Sequence, residues 1–417
     1  MFERSPILLP TPVQGQVAPG FEAVAHAFAD NFSQRGELGA ACTIFWRGDK
    51  VVDVWGGSQE KGTQRTWQQD TLALVFSLTK GITGLTVAVA VSQGLFNYDD
   101  KVSAVWPEFG ANAETTGKRA LRDISIGQLM SEQAGLAAIE LKLDAQNMAD
   151  QDLLAATLAA QEPNWEPGQW AGNHSYSLGW LACELIRRRD PKKRSLGEFF
   201  AQEVAAPLGA EFYIGLPATV SRESLARIDG FGLLTPLLHM DTLPWKMVLS
   251  MLWPGSLPSR ALNNPFLWHG PAELDSDTYR PIENGAIGGI GSARAIATLY
   301  NEFATGGQRL KLRREVLERL AIGHPPPLCG TYDQVLKTNV AYSYGLEKPE
   351  PDWEYSPSRS SYGSFAVGGS LAFADPEDHI AYAYVTNKLG LYKWDDPREK
   401  AVRSAFLGCV PALNKKG

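Results

Sequence analysis

The two ends of this chain have strand character and its middle has helix character, and that distribution limits the fold more than any single residue does. Near the start, residues 41–46 and 51–57 are apolar and β-branched runs separated by Arg47-Gly48-Asp49-Lys50, which predicts two strands around a tight Gly-Asp turn. Near the end, residues 370–374 and 380–387 form a second such pair around Asp375-Pro376-Glu377-Asp378. Between them, segments such as 178–188 and 293–303 carry apolar residues at three- and four-residue spacing, the period of a helix. Two strand pairs so far apart in sequence predict one sheet built from both ends of the chain and carrying a helical insertion, an α/β (α+β) fold. The stretch 190–283 is irregular and rich in Pro and Trp, and no regular element is predicted for it. Trp165, Trp170, Trp180, Trp245, Trp253 and Trp268 have two expected fates: core or lid packing, the usual one, or the wall of an apolar acyl or aromatic pocket.

Within the helical middle, Ser77-Leu78-Thr79-Lys80 places a hydroxyl and an amine one helical turn apart at the head of an apolar run. Residues at i and i+3 share a helix face with Cβ atoms roughly 5–6 Å apart, so the amine can reach back to the hydroxyl. A serine becomes a nucleophile at neutral pH only with a base within hydrogen-bond reach, and burial turns lysine toward that role by disfavouring its charged form. Residues 81–91 are free of charge and supply the apolar surround, with Gly94 as the helix stop. Such a helix is buried on most sides. At its N-terminus Ser77 meets free amides and the positive end of the helix dipole, both of which favour a developing negative charge. Ser-x-x-Lys by itself is a weak motif, because an N-cap serine followed by a solvated lysine has the same letters. A second copy, Ser58-Gln59-Glu60-Lys61, lies in a polar, turn-like segment with nothing to desolvate its lysine, and reads as coincidence.

The formal net charge of −7 and the lack of a long basic run argue against a nucleic-acid partner. Cys42, Cys183, Cys329 and Cys409 are dispersed, without CxxC or a cysteine-histidine cluster at zinc spacing, and read as free buried thiols of a reducing compartment. No metal or other cofactor is expected, since HExxH, a phosphate loop, GxGxxG after a strand and GxSxG are all missing. His239, His269, His324 and His379 read as ordinary surface or core histidines. Met1-Phe2-Glu3-Arg4-Ser5-Pro6 lacks a basic region followed by an apolar core, and no apolar stretch reaches membrane-spanning length. The expectation is a cytoplasmic protein with no membrane partner.

Several segments also fall in the order of one known family. They are Trp46-Arg47-Gly48-Asp49-Lys50 through Gly56-Gly57, Phe76-Ser77-Leu78-Thr79-Lys80, Gly94-Leu95 to Asp99-Asp100-Lys101-Val102, Ile126-Gly127-Gln128-Leu129-Met130 to Ala134-Gly135-Leu136, Trp165-Glu166-Pro167-Gly168, and Gly368-Gly369-Ser370 through Asp375-Pro376-Glu377. In these the chain resembles the serine hydrolases of the class C β-lactamase and penicillin-binding-protein type, and within them the carboxylesterases often called family VIII. The resemblance implies one β-lactamase-like domain over 1–417, with a sheet subregion at about 1–70 and 285–417 and a helical subregion at about 71–284. It implies an active site at their junction, where Ser77 attacks a small-molecule ester, Lys80 accepts the proton, and the amides of Ser77 and Val367 form the oxyanion hole.

Two positions depart from the family pattern. Counted from Pro167-Gly168, the place of the family's proton-carrying tyrosine holds Asn173, followed by His174, Ser175 and Tyr176. Asparagine cannot be a general base, so the proton traffic falls to Tyr176 one turn on, to Lys80, or to His174. On the strand beside the nucleophile, where the family has Lys-Thr-Gly or His-x-Gly, the chain has Ser364. Ser364 can hydrogen-bond a substrate carbonyl or carboxylate but carries no charge, so weak binding of carboxylated β-lactams or peptide termini is expected. The implied function is hydrolysis of short-chain carboxylic esters. Its rivals are an amidase, peptidase or acyltransferase on the same nucleophile, and a catalytically impaired binding protein of the same fold.

Overall fold

The computed structural model describes residues 12–111, 120–232 and 234–414. The described residues form eleven strands: β1 (Gln14–Val17), β2 (Gly39–Trp46), β3 (Asp49–Gly57), β4 (Ala73–Leu74), β5 (Phe212–Ile214), β6 (Gly289–Gly291), β7 (Tyr342–Ser343), β8 (Leu346–Glu347), β9 (Tyr362–Phe365), β10 (Leu371–Asp375) and β11 (Ile380–Thr386). β2 and β3 turn through Arg47 and Gly48, both at positive φ (54° and 83°), and Asp49 already pairs with Trp46. Positive φ at both central residues is the hairpin geometry that matches strand twist, so the turn sits one residue earlier than a Gly-Asp reading places it.

The main sheet is antiparallel in the order β1-β3-β2-β11-β10-β9-β8-β7. The join between the two ends of the chain is β11 against β2, from Ile380 opposite Trp46 to Thr386 opposite Ala40. β11 is buried along its whole length and alternates large and small residues. Ile380, Tyr382 and Tyr384 face a cluster with Phe21, Val24 and Phe28 beside helix α1 (Glu22–Gln34) and with Val402 and Phe406 of the last helix, Pro397–Asn414. Ala381 and Ala383 face the other way, toward Ile296, Tyr300 and Phe303 of the helix Ala293–Ala304. Side chains of a strand point alternately to its two faces, and the small face admits the helix closely.

Helix α2 (Leu78–Ser92) follows β4 and is buried from Leu78 through Val91. Apart from Lys80 its composition is charge-free, which matches burial on all sides. Gly94, at φ 77°, ends it as expected. Two glycines bring α2 against the sheet edge. A Cβ at Gly81 would run into the Tyr300 hydroxyl and lie 2.7 Å from Ser364 Cβ, and one at Gly84 would lie 2.5 Å from Tyr344 O. A larger residue at either position would push β8 and β9 away from the helix.

The stretch 190–283 folds into short helices, among them Leu196–Phe200, Trp245–Met251 and Leu257–Leu262, and part of it roofs a cavity over the head of α2. Trp180 is a core residue, whereas Trp245, Trp253 and Trp268 are exposed, and none of the six tryptophans singled out in the sequence lines that cavity. Cys42 and Cys183 are buried free thiols as expected, but Cys329 is exposed and Cys409 half-buried. Among the described residues there is no cluster of His, Cys, Asp and Glu that could hold a metal ion, and no helix long and apolar enough to cross a membrane.

Candidate active site

Ser77 is the N-cap of α2, and its hydroxyl makes no capping hydrogen bond. It instead opens on the cavity. The preceding residue, Phe76, has φ 45°, a left-handed conformation that is strained for a bulky side chain and costs of order 1–3 kcal/mol. The surroundings hold it there. Phe76 is buried, its carbonyl accepts from Thr79 N (2.9 Å) and Thr79 Oγ1 (2.5 Å), and Thr79 Oγ1 in turn accepts from Gly289 N at 2.9 Å. Among the described residues the amides of Ser77 and Val367 donate to no backbone carbonyl, so both are free to face an oxyanion. The Val367 loop is anchored from behind, where Arg398 Nη2 donates to Gly368 O at 2.8 Å while also pairing with Asp396 and Glu37.

Among the described residues Lys80 makes no side-chain hydrogen bond to Ser77. Its Nζ donates to Glu132 Oε1 and to Asn173 Oδ1, each at 2.9 Å, behind the cavity wall. Glu132 is the residue the sequence reading missed. Burial pushes its carboxyl up, but the Lys80 charge and the hydrogen bonds of His174 outweigh this and hold it at about 2. Lys80 thus meets a buried carboxylate where the sequence predicted only an apolar surround. The available signal was that Glu132 is the lone charge between Ile124 and Ile139.

His174 is fully buried and absent from the cavity wall. Its Nε2 accepts from Leu136 N at 3.0 Å, which leaves the proton on Nδ1, facing Gly172 O (2.7 Å) and Glu132 Oε2 (2.8 Å). His174, expected as a proton-handling or substrate-binding residue, therefore lies behind the cavity wall and orients Glu132. Ser364, expected as a substrate-binding residue, is displaced likewise. It is buried off the wall, where its hydroxyl donates to Ser77 O at 3.1 Å. Tyr176 does line the cavity, yet among the described residues its phenol has no hydrogen bond to Ser77 or Lys80, and burial pushes its ionisation well up. Asn173 lines the cavity and accepts from both Lys80 and Ser175 Oγ, the latter at 2.8 Å. In the decoy copy, Ser58 bonds the carbonyls of Glu60 and Arg65 and Lys61 pairs on the surface with Asp229.

The cavity has a volume of about 290 Å³ and is mostly apolar, with Phe231, Met247, Val248, Leu274, Ile287 and Phe365 on its walls. Its titratable groups besides Tyr176 and Tyr392 are Glu347 and Lys393, neither of which stood out in the sequence. Burial drives the Glu347 carboxyl up to about 8, with Lys80 pulling it down and Glu132 pushing it further up. Burial lowers the Lys393 amine to about 7 against the pull of Asp333 and other acids. Lys393 also sits over the Trp394 ring, 3.2 Å from its centroid.

A helix-borne serine with two free amides, set between an antiparallel sheet and a helical region, defines a serine hydrolase of the β-lactamase/transpeptidase fold. The chain belongs to the β-lactamase family, whose model matches residues 24–405. It is 29% identical over 391 residues to "Esterase/beta-lactamase LipL" of Mycobacterium tuberculosis, covering 90% of this chain and 83% of that one. Among solved structures it resembles a family VIII carboxylesterase, with a TM-score of 0.81, 30% identity and coverage of 95% of this chain and 99% of the other. It also resembles a penicillin-binding protein homologue from Caulobacter crescentus, with a TM-score of 0.79, 29% identity and coverage of 96% and 100%.

Proposed function

We propose that this protein hydrolyses esters of short, apolar carboxylic acids through an acyl-enzyme on Ser77. The observation that carries the reading is the Ser77 hydroxyl, unspent as a helix cap, opening beside two free amides into an apolar cavity. The names of the relatives, an esterase/β-lactamase and a carboxylesterase, both include ester cleavage. Ester cleavage needs less help to its leaving group than amide cleavage, which suits a site where Asn173 stands at the tyrosine position. Ser364 offers a carboxylated β-lactam no charge, so β-lactam turnover is at most slight.

The test is exposure to a fluorophosphonate probe together with turnover of p-nitrophenyl butyrate. Labelling at Ser77 and turnover are expected, and a protein that shows neither is not an esterase. The second reading, a binding protein that has lost catalysis, draws on the Lys80–Glu132 ion pair, which occupies the amine that would otherwise take the serine's proton. The cavity adds a quantitative expectation. Each methylene buried on lengthening the acyl group from acetate toward hexanoate contributes up to about 0.8 kcal/mol, close to a fourfold gain in kcat/KM per methylene, with a plateau when the chain outgrows the cavity. A flat series of p-nitrophenyl esters would place the acyl group outside it.

A further inference from the structure

A serine hydrolase needs a group that takes the nucleophile's proton and hands it to the leaving group. In this site the obvious holders are engaged elsewhere: Lys80 is bonded to Glu132 and Asn173, His174 lies behind Glu132, and Asn173 cannot carry a proton. Glu347 is different in three respects. It lies on the wall of the same cavity as Ser77. It is 3% exposed, and among the described residues its Oε2 has no hydrogen-bond partner. It also sits on β8 opposite Gly363 of β9, next to Ser364, whose hydroxyl donates to Ser77 O. A buried carboxyl oxygen without a partner is costly, and such groups persist where they have work to do.

We infer that Glu347 is the proton carrier of the reaction at Ser77, standing in for a phenol. This rests on the reading of Ser77 as nucleophile. As Ser77 Oγ bonds to the acyl carbon, its proton passes to the Glu347 carboxylate and the ester carbonyl becomes an oxyanion facing the Ser77 and Val367 amides. When the intermediate collapses and the ester C–O bond breaks, Glu347 returns that proton to the leaving alkoxide. In the second half, water adds to the acyl carbon as its proton passes to Glu347, and Glu347 gives it to Ser77 Oγ as the acid departs. The sum is ester plus water to acid plus alcohol, with Glu347 and Ser77 restored.

The electrostatic setting fits the role. Lys80 favours the carboxylate, while Glu132 and burial oppose it, and Tyr300, Tyr342 and Tyr355 feel the Glu347 charge from the packed elements around it. The resulting ionisation near 8 lets both forms exist in the neutral to mildly alkaline range, as a carrier of protons in both directions requires. Lys393, also on the wall and lowered by burial to about 7, serves as the control.

The test compares Glu347→Gln, Lys393→Met and Ser77→Ala on ethyl butyrate and p-nitrophenyl butyrate across pH 6–10. For Glu347→Gln, kcat/KM on the ethyl ester is expected to fall about 10²–10⁴-fold. The loss on the p-nitrophenyl ester is expected to be clearly smaller, because nitrophenoxide leaves without a proton. The rise in rate with pH through about 8 is expected to vanish in Glu347→Gln and to persist in Lys393→Met. The ratio of the two esters does not depend on how much protein is folded, so a destabilised variant remains informative. Unchanged rates and an unchanged ester ratio in Glu347→Gln, or a pH rise lost only in Lys393→Met, overturn the role of Glu347. If Ser77→Ala is inactive in that case, the serine reading survives alone, and if Ser77→Ala stays active, both fall.

Discussion

Replacing Glu132 with alanine is expected to lower the free energy of unfolding by about 3–5 kcal/mol, the usual result of stranding one member of a buried ion pair. Lys80 and Glu132 side chains are each 2% exposed and lie 2.9 Å apart, so neither can recover its hydration when the other is removed. Three further groups lose a partner or are left facing a void, since Glu132 Oε2 also accepts from His174 N and Nδ1 and Asn173 shares the Lys80 amine. The double variant Lys80→Met/Glu132→Leu should cost much less than the sum of the single changes, because no charge is then buried alone. Denaturant unfolding of the four proteins measures the coupling, and additive single effects would show that the pair does not act as a unit. The pair also sets an acid limit. The Glu132 carboxyl is depressed in the folded state to about 2, so its contribution is present above the unfolded value near 4.5 and is lost as pH falls through about 2. Stability of the parent protein should therefore decline between about pH 5 and 2, and Glu132→Gln should flatten that part of the curve.

Ser77→Ala is expected to remove turnover of p-nitrophenyl butyrate by about 10⁴–10⁶-fold, the range seen when a nucleophile is deleted from a site that keeps its oxyanion donors. The same change should leave stability nearly untouched. An N-cap serine replaced by alanine ordinarily costs about 1 kcal/mol, because a capping hydrogen bond is lost. Here Ser77 makes no such bond, so the cost should stay within about 0.5 kcal/mol. A large fall in melting temperature would mean that the hydroxyl has a structural role, and retained turnover would remove Ser77 from the chemistry.

The fold was legible where the signal was local. Strand runs bounded by turn residues marked β2, β3, β10 and β11, and the apolar period marked Ser177–Arg189 and Ala293–Ala304. The cross-chain sheet followed because two strand pairs must find partners somewhere. The candidate nucleophile stood out for the same reason: Ser77 and its apolar helix are contiguous. The rest of the site is not. Lys80 meets Glu132 across 52 residues of sequence and Asn173 across 93, and nothing near Lys80 announces either. Glu347 was hidden by its neighbour. Glu347-Lys348 looks like a solvated pair of opposite charges, yet Lys348 is tied to Ser360 O while Glu347 turns inward. The stretch 190–283 could not be read because its Pro- and Trp-rich composition says that it is irregular without saying which cavity it covers.

The central position of β11 bears on the order in which the working molecule comes into being. A ribosome delivers α2 and Ser77 early, but β2, paired with β3 on one side, lacks its second neighbour until Ile380–Thr386 has been made. The hydroxyl of Ser364 meets Ser77 O across a sequence separation of 287 residues. Closing so long a loop before its contacts repay the entropy makes assembly slow and dependent on the chain's last third. Until then the helix stands with an exposed apolar surface, a form prone to aggregation. A nascent chain halted before β9 would carry Ser77 but neither Ser364 nor Val367, so the surroundings of Ser77 are complete only when synthesis is nearly finished.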